Sequence, residues 1–233
     1  MRVAIHQPQF FPYPGFFHKL SIVDTFVVMD DVQYDKRFTN RNQILAPQGP
    51  TWLTVPIEKA DKFGPNLAVK VNNELPWREE HWKKLTYSYK NSPWFQLYGE
   101  YLSGLYQKRH DMLFDLDLET TAMVMKWLGI DIPIVRESQL GVTGEGTQRL
   151  VNVCKAMGAE TYVSGPGGKN YIDQRSFDER GVKLEYQRYE PTPYPQRFVR
   201  EFVPNLSILD LLFSVGQESR RLVTGAAPAD LVR

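Results

Sequence analysis

His6 stands where an apolar run, Val3-Ala4-Ile5, gives way to a turn-forming Gln7-Pro8. An imidazole titrates near neutrality, so at a strand end it can act as a general base or meet a phosphate. The competing reading is a histidine satisfied by a loop carbonyl. Gln7 shares the position, and Pro12, Gly15 and His18 follow. A strand that ends in a polar loop and feeds a helix is where open α/β sheets place ligands. A second concentration runs Asp30-Asp31-Val32-Gln33-Tyr34-Asp35-Lys36-Arg37 and on through Asn40-Arg41-Asn42. Carboxylates there can hold a metal, a ribose or an amine. Lys36, Arg37 and Arg41 can meet phosphates, arginine with a fork that matches two oxygens. A solvated loop paired with itself is the alternative. This stretch does not have the Asp-x-Asp order of metal-dependent glycosyltransferases.

A third group is Ser164-Gly165-Pro166-Gly167-Gly168-Lys169-Asn170-Tyr171. Its glycines let backbone approach a ligand, and Lys169 can neutralise a phosphate or carboxylate. The spacing is not that of a phosphate-binding Walker loop. Gly144-Glu145-Gly146 resembles an anion cradle, but Glu145 would repel a phosphate. A fourth group pairs Tyr194-Pro195-Gln196 with Ser207 and Asp210. Ser207 reads as a helix cap. Asp210 lies in an apolar turn, where burial would demand partners and make it a hydrogen-bond hub. Cys154, between Leu150, Val151 and Met157, reads as core. His6, His18, His81 and His110 share no ligand spacing with one another or with Cys154, so no metal is expected.

The elements needed to position these groups are legible in outline. Arg2–His6 reads as a buried strand, Gly15–Val23 as a helix and Thr25–Met29 as a second strand, together a βαβ unit with a right-handed crossover. Trp52–Ile57 and Leu67–Val71 read as further strands. Helices are expected near Trp77–Lys90, Phe95–Lys108 and Met112–Leu128, then a strand at Ile132–Val135 and a helix at Thr147–Met157. Thr161–Val163 and Val182–Tyr186 complete the strands, and Leu206–Leu222 reads as mostly helical. The fold class is therefore α/β, with a mixed or mostly parallel sheet. The whole chain, 1–233, reads as one domain with a helical insertion at about 77–128.

Composition sets the outer limits. With 42% hydrophobic and 24% charged residues the chain has the make-up of a folded globular protein. Lys+Arg 28 against Asp+Glu 27 leaves +1, too little for a global field that draws in DNA. One cysteine excludes an intrachain disulfide framework and fits a reducing compartment, so the cytoplasm is expected. No run reaches the roughly 18 apolar residues of a membrane span.

These stretches, taken in order, resemble the WbqC-like family. The matching pieces run from His6-Gln7-Pro8 and Gly15-Phe16 through Asp24-Thr25-Phe26-Val27, Asp30-Asp31-Val32-Gln33-Tyr34 and Asn40-Arg41-Asn42. They continue at Tyr162-Val163-Ser164-Gly165, Lys169-Asn170-Tyr171, Tyr194-Pro195-Gln196 and Leu206 to Phe213. The resemblance implies a place in bacterial O-antigen and other surface-polysaccharide pathways, where some members are proposed to transfer glycine or another acyl group onto an amino sugar. On that footing a transferase is expected to form an amide on a nucleotide-linked amino sugar. His6 or Asp31 would be the base, with Asp30 and Gln33 orienting the amine. Lys36, Arg41 and Lys169 would hold a diphosphate or anionic donor, and Tyr171 and Tyr194 would stack on a sugar or base. Gln7, Tyr34, Asn42, Ser164 and Gln196 complete the expected binding set. The donor would be an acyl carrier protein, an aminoacyl-tRNA, or a free acid with ATP. A fainter likeness of the opening to nucleotidylyltransferases, pantothenate synthetase among them, implies an ATP-dependent acid–amine ligase, although the His-x-Gly-His motif is missing. A non-catalytic scaffold of a polysaccharide assembly complex is the third reading.

Overall fold

Apolar residues that alternate along a strand bury both faces of a sheet, and the first strand shows how this sheet is covered. In β1 (Arg2–His6), Val3 and Ile5 enter one core while Ala4 enters the other. The computed structural model describes residues 1–226; positions 227–233 of the expected single domain lie outside the described residues. After β1 come α1 (Pro14–Ser21) and β2 (Thr25–Val28), then a hairpin of β3 (Arg41–Ala46) and β4 (Gly49–Thr54). Three helices follow, α2 (Trp77–Tyr89), α3 (Phe95–Gln107) and α4 (Leu113–Leu128). The chain then alternates β5 (Ile134–Arg136), α5 (Gly146–Ala156), β6 (Thr161–Ser164), α6 (Gln174–Asp178) and β7 (Lys183–Tyr186). It closes with α7 (Ile208–Val215) and α8 (Glu218–Thr224).

The main sheet is parallel throughout, in the order β5-β2-β1-β6-β7. The fold is therefore α/β with a parallel five-stranded sheet, as the opening βαβ unit implied. Helix α1 and the residues of α4 and α7 cover one face, and α5 and α6 cover the other. Parallel strands need such covering on both sides. Read in chain order, the strand order runs outward in both directions from β1. The crossover direction reverses between β1 and β6, and at their carboxyl ends the connecting loops part and leave a crevice. Among the described residues no helix is long and apolar enough to cross a membrane.

Three elements differ from expectation. Arg41–Ala46 forms a strand of the hairpin, where the sequence suggested a polar loop; every β3 residue pairs with one of β4, Arg41 with Thr54 through Ala46 with Gly49. Leu67–Val71 is not a strand. The amide N–H groups of Asn66 and Leu67 turn to the carbonyls of Val32 and Asp30, and the segment keeps only isolated bridges at Lys70 and Val71. The terminal helix breaks at Gly216, whose φ is +59° and against whose α-carbon the Trp94 indole packs. Ser207 caps α7 as expected, accepting from the Leu209 N–H.

One buried acid on α4 works against the fold. Asp117 is 1% exposed, and neither carboxyl oxygen has a hydrogen-bond partner. Burial raises its pKa well above the usual carboxylate value. The folded state therefore keeps a proton that the unfolded chain releases above about pH 4, and stability falls as pH climbs from there. Asp117→Leu keeps the volume and removes the charge. It is expected to stabilise the protein at pH 7 by roughly 1–3 kcal/mol. The gap to wild type in urea melts should narrow as pH is lowered to 4; equal midpoints at both pH values would refute this.

Candidate functional site

The carboxyl end of the sheet opens into a cavity of ≈ 700 Å³ at the β1/β6 crevice. That volume is ordinary for a small-molecule site. His6 and Gln7 enter from the end of β1, Met29 from the end of β2, Pro166 and Gly167 from the turn after β6. Gln187 and Tyr189 enter from the segment after β7. The opposite wall is Asp35, Arg37, Phe38 and Asn42, with Asn205 from the connection to α7.

The loop Gln7–Tyr13 shapes the floor, and its geometry is held from outside. Phe11 is fully buried at φ 41°, a left-handed conformation that a bulky residue adopts only under constraint. Its carbonyl accepts from Asn42 Nδ2 at 2.8 Å and from Ser207 Oγ at 3.0 Å, and the Ile208 N–H reaches the Pro12 carbonyl at 2.9 Å. Asn42 thus lines the cavity and braces its floor.

His6 is the chemically interesting side chain. Its Nδ1–H donates to the Gln7 carbonyl at 2.9 Å, which leaves the Nε2 lone pair as the ring's acceptor. The ring stands edge-on to Phe16 with centroids 5.4 Å apart. Burial, and next the charge of Lys19, lower its pKa to about 3, so the imidazole is neutral at physiological pH. The reading of a histidine satisfied by a loop carbonyl holds at Nδ1, and Nε2 has no hydrogen-bond partner among the described residues.

Polar groups around the cavity are mostly uncharged. The side chains of Gln9, Asn205, Tyr13, Tyr171 and Tyr189 all line it, and none has a hydrogen-bond partner among the described residues. Gln187 is buried and already committed, its Nε2 donating to the Gly15 carbonyl at 2.7 Å and to His18 Nδ1 at 2.8 Å. Besides His6, the ionisable pair Asp35 and Arg37 face each other: Arg37 Nε donates to Asp35 Oδ2 at 2.8 Å. Amides and phenols that meet hydroxyls, with aromatic faces beside them, make a wall for a neutral polar ring.

Gly15 sets the aperture. A Cβ there would lie 2.7 Å from Tyr189 Cδ1 and collide with the Tyr13 ring. Gly15→Ala is therefore expected to push both tyrosines off their positions at a cost of about 1–3 kcal/mol. It should weaken ligand binding at the cavity about tenfold or more, measured by calorimetry; unchanged affinity would mean that neither ring touches the ligand.

Of the residues singled out from sequence, the cavity brings together His6, Gln7, Arg37, Asn42 and Tyr171, with Asp35 beside Arg37. The remaining candidates lie elsewhere. Asp30 is fully buried and accepts from Arg136 Nε at 2.8 Å, Ser138 N at 2.9 Å and Ser138 Oγ at 2.7 Å. Burial alone would raise its pKa, but Ser138 and Arg136 hold it below the usual value. It ties the end of β2 to the turn after β5 and has no free oxygen lone pair aimed at the cavity. Asp31 is exposed and lies 3.6 Å from Arg149, which also pairs with buried Glu137 at 2.6 Å. Gln33 is exposed and bridges to Pro65, while Tyr34 is buried with its N–H on the Gly64 carbonyl. Lys36 is exposed, and Arg41 stacks over Trp52 at 4.5 Å. Lys169 sits over Tyr186 at 5.5 Å, and Ser164 Oγ donates to the Gly165 carbonyl. Tyr194 and Gln196 turn inward to Asp210. Among the described residues no group of three or more His, Cys, Asp or Glu side chains lies close enough together to hold a metal.

Comparison with known proteins agrees with the ordering of these motifs. A profile of the WbqC-like protein family matches residues 7–222, which spans nearly all of the described fold. The chain belongs to the WbqC-like family. It is also similar to the uncharacterized protein Rv1507c of Mycobacterium tuberculosis, with 32% identity over 220 residues, 94% of this chain and 95% of that protein. No solved structure matches the chain significantly. The family match begins at Gln7 and so includes the loop that floors the cavity, the braces at Asn42 and Ser207, and the turn after β6.

Proposed function

We propose that this WbqC-like protein is a transferase that forms an amide by moving an acyl or aminoacyl group onto a nucleotide-linked amino sugar, as in surface-polysaccharide biosynthesis. The observation that carries the reading is the cavity at the β1/β6 crevice, walled by phenols and amides and floored by a neutral histidine. Sugar hydroxyls suit such a wall, and a sugar face packs on the rings of Tyr13, Tyr171 or Tyr189. His6 Nε2 accepts a hydrogen bond from the acceptor amine and takes its proton as the new C–N bond forms. The bond from the carbonyl carbon to the donor's leaving group (a thiol, a tRNA hydroxyl or a phosphate) then breaks, and the proton on His6 passes to that group. The unpartnered amides of Gln9 and Asn205 are the available donors for the carbonyl oxygen of the acyl donor.

A second reading has its own support. The sheet order, outward on both sides from β1, is the arrangement in which α/β proteins hold nucleotides across the central crevice. On that reading ATP occupies the cavity, activates a free acid, and the protein is an acid–amine ligase.

Thermal melts with a UDP-linked amino sugar and with ATP separate the two. At 100 times its Kd a ligand adds about 2.7 kcal/mol of stability, which raises Tm by roughly 5–10 °C in a chain of this length. A shift with the nucleotide amino sugar that Gly15→Ala removes supports the transferase. A shift with ATP alone supports the ligase, and no shift with either argues for a scaffold without a small-molecule substrate.

A further inference from the structure

Lys19 is an ammonium in an unusual place. It is 3% exposed on the sheet-facing side of α1 and has no ion pair or hydrogen bond among the described residues. Lysine is almost never so fully buried without a partner. Side chains on a helix lean toward its N-terminus, which for α1 is the carboxyl edge of the sheet. Lys19 follows this rule: its Nζ lies 5.9 Å from the ring of Phe16, one turn earlier. The same ring carries His6 edge-on at 5.4 Å. Lys19 and His6 thus meet the same ring, and of the two only His6 lines the cavity.

We infer that the crevice at His6 is an anion subsite, and that Lys19 supplies its charge. The ligand class is a phosphate or carboxylate group of the substrate, seated beside His6 and the Gly165–Gly168 turn. Lys19 is a positioning residue that acts through His6, because His6 and not Lys19 lines the cavity. An uncompensated cation in a low-dielectric wall attracts an anion more strongly than the same charge in water. The cations expected from sequence, Lys36, Arg41 and Lys169, do not line the cavity, and Arg37 is paired with Asp35. Lys19 is a positive charge that acts on His6, and it has no ion pair among the described residues.

The two groups are coupled. The charges around His6 are Lys19 on α1 and Asp35 in the loop after β2, with Arg37 answering Asp35; His18 faces Gln187 instead. Burial brings Lys19 down to about 7. With the crevice empty, burial first and the charge of Lys19 next keep His6 neutral and weakly basic. An anion seated beside them cancels that field and raises the basicity of His6 at the moment a substrate is present.

This inference rests on the cavity being the substrate site, and one probe, inorganic pyrophosphate, separates the two ideas. His6 and Lys19 are followed by NMR, the imidazole through its Cε1–H and the lysine through reductive 13C-methylation. Pyrophosphate is expected to raise the midpoints of both by at least one pH unit. Lys19→Met should raise the His6 midpoint without any anion and weaken pyrophosphate binding at least tenfold, while Lys19→Arg keeps it. Where Lys19→Met fails to fold, the wild-type methyl titration decides alone. A Lys19 midpoint that pyrophosphate does not move, or equal affinity in Lys19→Met, overturns the inference. Acetate in place of pyrophosphate distinguishes a carboxylate subsite from a phosphate one. If a UDP-linked amino sugar binds wild type and Lys19→Met alike, this inference fails and the transferase reading stands. If pyrophosphate moves both groups but no nucleotide amino sugar binds, the reverse holds.

Discussion

Asp210→Ala is expected to cost about 3–5 kcal/mol of folding stability, the range for breaking a buried, hydrogen-bonded charge network from one side. The carboxyl is 1% exposed. Its Oδ1 accepts from Tyr89 Oη at 2.6 Å, and its Oδ2 from Tyr194 Oη at 2.8 Å and Gln196 Nε2 at 2.9 Å. Each partner carries the connection further. Tyr89 Oη, at the end of α2, accepts from the Leu45 N–H of β3, and Gln196 bonds both the N–H and the carbonyl of Val203. One side chain on α7 therefore ties together the hairpin, α2 and the long irregular segment that follows β7. Truncation leaves two phenols and an amide buried with no acceptor. In urea the midpoint should fall with little change in m, and Tm should drop by about 10 °C. A loss under about 1 kcal/mol would show that water replaces the carboxyl without penalty. Tyr194→Phe offers the contrast. It should cost only about 1 kcal/mol and leave ligand affinity unchanged, because Tyr194 lies outside the cavity lining.

That contrast shows where sequence reasoning reached its limit. Tyr194 and Gln196 were expected as substrate contacts because the stretch Tyr194-Pro195-Gln196 carries part of the family resemblance. Asp210 looked like a hub because its neighbours were apolar. Both clues were local, but only tertiary structure says that the hub's partners are those same two residues. Asp30, expected to orient the amine, lies outside the cavity lining for a related reason: the groups that hold it, Arg136 and Ser138, are 106 and 108 residues away. The strand, loop, helix and strand of the opening were readable because apolar runs, prolines and a glycine punctuate them. The crevice was not, since it exists only once β6 is known to pair with β1 on the side away from β2. Tyr189, Gln187 and Asn205 join the site through that pairing and carry no local mark. Lys19 was hidden for a different reason. Its position, three residues after Phe16 and one before Leu20, falls on the apolar stripe of α1, but a lysine on such a stripe reads as one that carries its ammonium out to water.

His6→Phe is expected to lower the rate of amide formation by about 10²–10⁴-fold, the usual worth of a positioned general base. Phenylalanine preserves the edge-on contact with Phe16, so stability should change little and the loss should lie in kcat. The substrate amine then loses both its hydrogen bond to Nε2 and the acceptor for its proton. The pH profile adds a sharper test. In the free protein His6 titrates at about 3 and Lys19 at about 7. The quantity kcat/KM reports groups of the free enzyme. An ordinary histidine base would make kcat/KM fall on the acid side of about 6.5. Here no acid limb from His6 is expected between pH 5 and 7. Instead kcat/KM should fall above about pH 7 as Lys19 loses the proton whose charge draws the substrate anion. Lys19→Arg keeps its proton at any accessible pH, so its alkaline limb should move up beyond the range in which wild type declines. If kcat/KM falls below 6.5 in wild type and in Lys19→Arg alike, His6 is an ordinary exposed base and the buried lysine has no part in the chemistry. A decline on the alkaline side alone, displaced by Lys19→Arg, would tie the buried lysine to the histidine.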